Sequence, residues 1–367
     1  MNFSLAEEQQ LLADALTRFV ERDYGFEARK AIVKSKEGWS RKAWQQLAEL
    51  GVLGLLVPEA HGGFGGTSVD AMIVMNALGR GLAVEPYLQT AVLAATLISA
   101  AGHEQQKAKL LPGIAGGERV FALAHFEAHG AGIETQAKRD ADEWKLAGTK
   151  RVVLHGGQAD SLVVSARTDA GLGLFLVDPK SPHVKVRDYR TIDGLRAADI
   201  ALDGAVVAQD EVLGEPGKID AALALALDRA TAALCAEAVG VMEELNRQTL
   251  DYIKTRQQFG QPIGRFQALQ HRAADMFIDG EQSKSMAYLA AMKYASPDAS
   301  ERARAVSAAK AYIGRSGRRV AHEAIQLHGG MGVTDELPAS HYAKRLRMVD
   351  FWLGDADSHV ERFLALG

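Results

Sequence analysis

The chain has 367 residues, of which 47% are hydrophobic, and a formal net charge of -4. That length suggests two or three domains, and without a concentrated Lys/Arg face a nucleic-acid or membrane-surface partner has no electrostatic support. Cys235 is the single cysteine, which excludes an intrachain disulfide framework and a cluster of cysteine ligands.

The beginning of the chain lacks the basic and apolar regions of a signal peptide. The apolar run of residues 221–236 is interrupted by Asp228 and Arg229, so no membrane span is expected. None of the eleven histidines pairs with another at metal-ligand spacing beside a cysteine or carboxylate, so no metal site is expected. A cytoplasmic enzyme is the simplest interpretation.

Helical periodicity dominates residues 1 to about 118. In the first amphipathic segment, apolar residues recur at helical spacing from Leu5 to Val20, and further helices are predicted around 41–51, 69–81, 88–100 and 103–115.

Short apolar and alternating runs fill residues 119 to about 210 and predict a β domain. Long helical patterns return over 218–250, 266–293, 299–327 and 339–366. The predicted fold class is therefore mainly α with a central β domain. The predicted domains are an N-terminal helical domain (1–118), a middle β domain (119–215) and a C-terminal helical bundle (216–367).

Two segments of the C-terminal region carry the most specific pattern. Thr255–Met276 reads TRQQFGQPIGRFQALQHRAADM, and Gln326–Val333 reads QLHGGMGV. Together they resemble the paired signature of the acyl-CoA dehydrogenase family. The resemblance implies that family's α–β–α fold, with a four-helix bundle at the C-terminus, and FAD as cofactor.

The resemblance also implies which residues hold FAD. Arg256, Phe259, Gln267, Gln326 and Gly330 fall on the positions that hold its adenosine and pyrophosphate. In the family tetramer, much of this contact reaches the FAD of a neighbouring subunit. An oligomer is therefore expected.

The catalytic base is the point at which the chain departs from the family. In the family, a carboxylate removes the α-proton of an acyl-CoA thioester while the β-hydride passes to the flavin. The usual Glu falls on Leu353, and the alternative base position falls on Ala230. Asp228 lies two residues before Ala230 in an apolar helix, so it is the candidate base, with a structural ion pair or an N-cap as the alternative role.

Two other segments also differ from the family pattern. The residues that usually cover the flavin ring, Trp-Ile-Thr or Trp-Ile-Ser, fall on Val152-Val-Leu154, and the preceding loop, which begins at Glu127, is shorter. Asp355, Ser358 and His359 lie within five residues of one another, so they are interpreted as a helix cap and not as a hydrolytic triad.

Three functions remain open at this point. The first is an FAD-dependent acyl-CoA dehydrogenase working as one subunit of an oligomer. The second is a catalytically silent subunit that completes the FAD site of a partner, and the third is a flavin-free acyl-CoA-binding scaffold. The resemblance is strongest to small subunits of two-component dehydrogenases. It implies an acyl-CoA substrate, an electron-transfer flavoprotein as acceptor, and either a homo-oligomer or a heterotetramer with a larger dehydrogenase subunit.

Overall fold

The computed structural model describes residues 5–128, 132–294, 296 and 298–367. Helices contain 58% of the residues and strands 17%, which confirms the predicted mainly α class with a central β domain. Within these described ranges, no helix is both long enough and apolar enough to cross a membrane.

Six helices precede the sheet in the described part of the chain. They are α1 (Glu7–Arg22), α2 (Phe26–Lys34), α3 (Arg41–Glu49), α4 (Ser68–Arg80), α5 (Ala95–Ala101) and α6 (Glu104–Ala115). Helix α3 begins where the Ser40 hydroxyl accepts a hydrogen bond from the Ala43 N–H (3.1 Å), as expected of an N-cap serine.

The helix predicted over 88–100 is divided, because Leu88–Ala94 forms a wider π-helix before α5. Two side chains of this segment bond to the first strand. Gln89 accepts from the Leu123 N–H at 3.1 Å, and the Thr90 hydroxyl donates to the Phe121 carbonyl at 2.9 Å. Polar side chains therefore satisfy backbone groups of that strand that no neighbouring strand reaches.

Eight strands form the central sheet of the described residues. They are β1 (Phe121–Ala124), β2 (Gln136–Asp140), β3 (Glu143–Leu154), β4 (Ser161–Thr168), β5 (Gly171–Val177), β6 (Val184–Arg190), β7 (Arg196–Ala208) and β8 (Val212–Leu213). The order is β6-β7-β3-β2-β4-β5-β8, with β1 beside β4. Strands β1 and β2 run parallel to β4, and the other neighbours are antiparallel.

Long helices follow the sheet. They are α7 (Asp220–Thr255), α8 (Gln267–Lys293), α9 (Ala299–His328), α10 (Pro338–Phe351) and α11 (Ala356–Ala365), with a hairpin of β9 (Gln257–Gln258) and β10 (Gln261–Pro262) between α7 and α8. The pattern predicted over 339–366 is two helices, because Leu353 (φ 58°) and Gly354 (φ 98°) both leave the helical region of backbone space.

The contacts group the chain into two compact units. The helical unit contains the described residues of Met1–Lys30, Ser68–Ala83 and Thr231–Gly367, and the mixed unit contains Ala31–Thr67 and Val84–Ala230. The predicted domain bounds at 118 and 215 stay a prediction.

A pair of glycines lets two helices of the helical unit touch backbone to backbone. A Cβ on Gly79 of α4 would lie 2.2 Å from the Glu237 carbonyl oxygen of α7. A Cβ on Gly240 of α7 would lie 2.0 Å from the Asn76 carbonyl oxygen of α4. Any larger residue at either position would push the two helices apart.

A buried ion pair organises the mixed unit beside β1. The Lys150 ammonium is fully buried and lies 2.6 Å from the Glu127 carboxylate. It also donates to the Ser165 hydroxyl at 3.2 Å. Burial alone would raise the pKa of Glu127, but hydrogen bonds from Lys150 and from the backbone of Glu134 and Thr135 lower it to about 2.

We expect Glu127→Ala to destabilise the protein by about 3–5 kcal/mol, because it leaves the Lys150 charge buried without its partner. In the wild type, this contribution is complete above the ordinary carboxyl range and is lost as the pH falls from about 4.5 to about 2. Denaturant unfolding at several pH values measures both effects. The matched control is Asp140→Ala, which removes an exposed pair with Lys145 and should cost at most about 1 kcal/mol. Equal losses in the two variants would contradict the prediction.

Candidate functional site

The five predicted cofactor residues lie near the ends of three helices. Arg256 follows α7, Phe259 occupies the tip of the β9–β10 hairpin, and Gln267 opens α8. Gln326 lies in the last turn of α9, and Gly330 is the second residue after that helix. All five are exposed, and Phe259, at 89%, is the most exposed of the large hydrophobic residues described.

Side-chain contacts bring these helix ends together. The rings of Tyr252 on α7 and His328 on α9 stack with their centroids 4.4 Å apart. The Arg272 guanidinium on α8 pairs with the Glu323 carboxylate on α9 at 2.6 Å. Because each contact lies within about two turns of a predicted cofactor residue, the structure gathers the five at one end of the helical unit, which we call the cofactor end.

The cofactor end fits a phosphate-bearing group. Among the described residues, the Arg256 side chain makes no hydrogen bond or ion pair, so its guanidinium is available to an anion. A Cβ on Gly330 would meet no atom within 4 Å. The packing of this chain does not require glycine there, whereas close approach of an external group to the backbone would.

A strained turn between α10 and α11 carries Leu353. Its φ of 58° is rare for a residue with a side chain. The His359 Nε2–H donates to the Leu353 carbonyl at 2.9 Å. The Asp355 carboxylate accepts from the Ser358 N–H at 2.9 Å and caps α11, which confirms the cap, although His359 is buried and does not face solvent.

A buried lysine of α9 also holds this turn. The Lys310 ammonium on α9 is fully buried and donates to the carbonyl oxygens of Asp350 at 2.9 Å and Gly354 at 2.5 Å. Burial lowers the pKa of Lys310, and burial also raises the pKa of the neighbouring Cys235 thiol to about 12. The lysine thus satisfies carbonyls that the end of α10 would leave without a partner.

The candidate base lies in the mixed unit. Asp228 on α7 is 1% exposed and Ala230 is fully buried. The adjacent Arg229 guanidinium donates to the Thr96 hydroxyl at 3.0 Å. A carboxylate buried this deeply needs an opening before a substrate reaches it, and its catalytic role stays a prediction.

Sequence comparison decides the family. Residues 6–118, 127–204 and 220–364 match the N-terminal, middle and C-terminal domains of acyl-CoA dehydrogenase. The chain belongs to the acyl-CoA dehydrogenase family. It is 30% identical to acyl-CoA dehydrogenase FadE27 of Mycobacterium tuberculosis over 99% of this chain and 97% of that protein.

Solved structures agree with this assignment. The chain is similar to a chain of the ChsE4-ChsE5 complex from Mycobacterium tuberculosis, with a TM-score of 0.93 and 30% identity over 100% of this chain and 98% of that one. It shares its fold with a glutaryl-CoA dehydrogenase from Mycobacterium smegmatis in complex with FADH2, with a TM-score of 0.88 and 24% identity over 98% and 94% of the two chains. Acyl-CoA dehydrogenases depend on FAD.

The segment on which the flavin-covering residues of the acyl-CoA dehydrogenase family fall is a β-bulge of strand β3. The pairing of β3 with β7 shifts register between Lys150 and Val153, and Val152 there has φ 50° and is 40% exposed. The Asp199 carboxylate holds the bulge by accepting from the Val152 N–H (3.2 Å) and the Arg151 guanidinium (2.7 Å). The fold therefore keeps a strained backbone at this position while presenting a small aliphatic side chain.

The sequence reasoning missed two buried charges in this acyl-CoA dehydrogenase chain. Lys310 stands alone in the apolar run AVSAAKAYIG, the same signal that singled out Asp228. Arg345, in the basic run KRLR, is buried and forms a bidentate pair with the Glu237 carboxylate at 2.5 and 2.8 Å. A basic residue at helical spacing among apolar ones would have signalled this pair.

We expect Lys310→Met to lower the free energy of unfolding by about 1–3 kcal/mol, because the carbonyl oxygens of Asp350 and Gly354 lose their donor. Denaturant unfolding measures the loss. The control Lys284→Met removes a partly exposed pair with Glu243 and should change stability by less than about 1 kcal/mol. A Lys310→Met protein as stable as the wild type would show that the ammonium does not hold the turn.

Proposed function

We propose that this chain is one subunit of an FAD-dependent acyl-CoA dehydrogenase oligomer and that it completes the FAD site of a partner subunit. The exposed cofactor end carries this proposal. Arg256, Phe259 and Gln326 all point away from their own unit's core, whereas residues that bound a cofactor inside their own subunit would line a cavity. This exposure supports the approach of a separate subunit to the cofactor end.

The reaction assigned to the oligomer is α,β-desaturation of an acyl-CoA thioester, with bound FAD supplying the hydride acceptor and an electron-transfer flavoprotein receiving the electrons. A positioned carboxylate must take the α-proton. Leu353 has no proton-accepting group, so we assign that carboxylate to the partner, a larger dehydrogenase subunit that retains its Glu. The ChsE4-ChsE5 complex, named for two proteins, is a precedent for such an assembly.

The Leu353 backbone keeps a second use in this scheme. Within the described residues its N–H donates to no acceptor, while its carbonyl is held by His359. The N–H is thus available to a thioester carbonyl, where a fixed donor stabilises developing negative charge. The chain can then contribute to binding of acyl-CoA without supplying the base.

Flavin absorbance between 350 and 500 nm distinguishes the three functions. The proposal expects little flavin in the chain purified alone and full flavin after mixing with the larger subunit. Acyl-CoA should bleach the flavin only in the mixture. Flavin retention and bleaching by the chain alone would identify a dehydrogenase that needs no other type of subunit, and absence of flavin under both conditions would identify a flavin-free scaffold.

Arg256→Ala should weaken FAD retention by the assembled oligomer about tenfold to a hundredfold. A charge-assisted hydrogen bond from arginine to phosphate contributes about 1.5–3 kcal/mol. The flavin-to-protein ratio after dialysis measures the effect. Arg315→Ala, which removes an exposed arginine of α9 paired with Asp357, is the matched control and should retain flavin. Wild-type retention in Arg256→Ala would remove this residue from the site.

Asp228→Asn decides whether the chain carries its own base. If the partner supplies the base, the assembled oligomer should still be bleached by acyl-CoA, and the variant should lose stability by up to several kcal/mol if Asp228 forms a buried ion pair. If Asp228 is the base, the fold and flavin should persist while bleaching stops, because an amide does not accept the proton. Thermal melting and anaerobic bleaching on one sample separate these outcomes.

A further inference from the structure

Helix α1 borders two clefts of the helical unit. The first, of about 470 Å³, is lined by residues of α1, α4, α7 and α8. The second, of about 590 Å³, is lined by residues of α1, α4, α7 and α10. Thr17, Ala77, Arg80 and Arg247 line both clefts, so the two form one continuous groove, which we call the α1 groove.

The first cleft offers mainly hydrocarbon contact. Its apolar lining residues include Leu5, Ala13, Met72, Ile73, Val239 and Ala287. The two charged residues that it does not share with the second cleft, Glu243 and Lys284, pair with each other at 3.2 Å. The Asn76 amide also donates to the Glu243 carboxylate at 3.3 Å. These charges are therefore already compensated.

The second cleft carries the unpaired charges of the groove. Its Arg247 guanidinium pairs with the Glu244 carboxylate at 2.6 Å and with the Asp251 carboxylate at 3.0 Å. In the described part of the chain, by contrast, neither the Arg80 guanidinium nor the Glu21 carboxylate makes a hydrogen bond or an ion pair. Arg80 lies where the clefts meet, whereas Glu21 lines the second cleft only. The order along the groove is an apolar cleft, then a cation, then an anion.

The helix ends at the second cleft reinforce this order. Glu21 lies in the last turn of α1, and the C-terminal end of a helix favours a cation. Arg80 ends α4, but donors already bind the carbonyls there. The Tyr342 hydroxyl donates to the Arg80 carbonyl at 2.5 Å, and the Arg29 guanidinium donates to the Leu82 carbonyl at 2.9 Å. An anion beside Arg80 therefore meets a free guanidinium and not a row of open carbonyls.

We propose that the α1 groove binds one zwitterionic amphiphile in which the anion lies between a hydrocarbon chain and a cation. The chain occupies the first cleft, the anion accepts from the Arg80 guanidinium, and the cation pairs with the Glu21 carboxylate. An alkylphosphocholine has its groups in this order, and the guanidinium fork suits its phosphate. A simple fatty acid leaves Glu21 unpaired, and a simple alkylammonium brings its charge beside Arg80.

This site goes beyond the proposed function. Both clefts lie within the helical unit. Arg256, Phe259 and Gln326 line neither of them, so binding in the α1 groove requires no FAD, acyl-CoA or second subunit.

Isothermal titration calorimetry of the chain with octylphosphocholine, below its micellar concentration, tests the site. The wild type should bind one molecule. Octyl phosphate, which lacks the cation, should bind about fivefold more weakly, and octyltrimethylammonium, which lacks the anion, should not saturate the protein. Equal affinity for the three compounds, or no binding of octylphosphocholine, would overturn the proposal. Attachment to phosphatidylcholine vesicles without binding of the monomer would also overturn it, because the groove admits one molecule and not a bilayer surface.

Two variants separate the charges. Arg80→Gln should weaken binding of octylphosphocholine about tenfold or more, as for a lost charge-assisted hydrogen bond. Glu21→Gln should weaken it about fivefold without weakening the binding of octyl phosphate. Arg22→Gln and Glu8→Gln, at exposed residues of α1 outside both clefts, are the matched controls and should bind as the wild type does.

Ala13→Phe tests the apolar cleft without changing a charge. The larger side chain takes the space of the hydrocarbon chain, so octylphosphocholine and octyl phosphate should both bind at least tenfold more weakly. Circular dichroism and melting temperature establish that the variants are folded. Wild-type affinity in Arg80→Gln or in Ala13→Phe would show that the amphiphile binds elsewhere.

Discussion

The buried ammonium of Lys310 is the interaction on which the arrangement of the C-terminal helices depends. It joins α9 to the end of α10 through the carbonyl oxygens of Asp350 and Gly354. Gly314, one turn along the same helix, leaves room for the Asp350 carboxylate, because a Cβ there would lie too close to that group. Lys310, in the middle of α9, therefore fixes the strained turn. The end of the same helix positions Gln326 and, two residues beyond it, Gly330.

The cofactor end and the turn at Leu353, both positioned by α9, offer different chemical groups. The cofactor end retains an arginine, an aromatic ring and amide side chains, which suit recognition of a phosphate and a nucleotide. The turn retains a fixed backbone donor at Leu353, but its side chain accepts no proton. In the proposed function, a chain built in this way binds and orients, and a carboxylate outside this turn takes the proton.

Much of this architecture can be predicted from the sequence, because apolar periodicity and glycine-rich turns determine helices and their ends through residues close together in the chain. The helices over 220–255, 267–293 and 299–328 lie within a few residues of their predicted bounds, except that α7 runs five residues beyond its predicted end. The periodicity did not predict the break at Leu353 or the π-helix that begins at Leu88. Both depend on contacts with residues far away in the sequence, which a local pattern does not contain. The periodicity did not predict Lys310 or the Glu237–Arg345 pair for the same reason, and the five candidate cofactor residues were identified from the family motif alone.

Contacts to the backbone hold strained residues of this fold in place. Among the described residues, six without a glycine's freedom have positive φ, and three of them, Val152, Phe259 and Leu353, fall on segments matched to the family's flavin and base motifs. Each such residue costs about 1–3 kcal/mol, which the surrounding contacts must offset. Those contacts come from Asp199 at Val152 and from His359 at Leu353. Because the His359 contact acts on the backbone, the position of the Leu353 N–H does not depend on its side chain, so a leucine there keeps the donor while offering no proton acceptor.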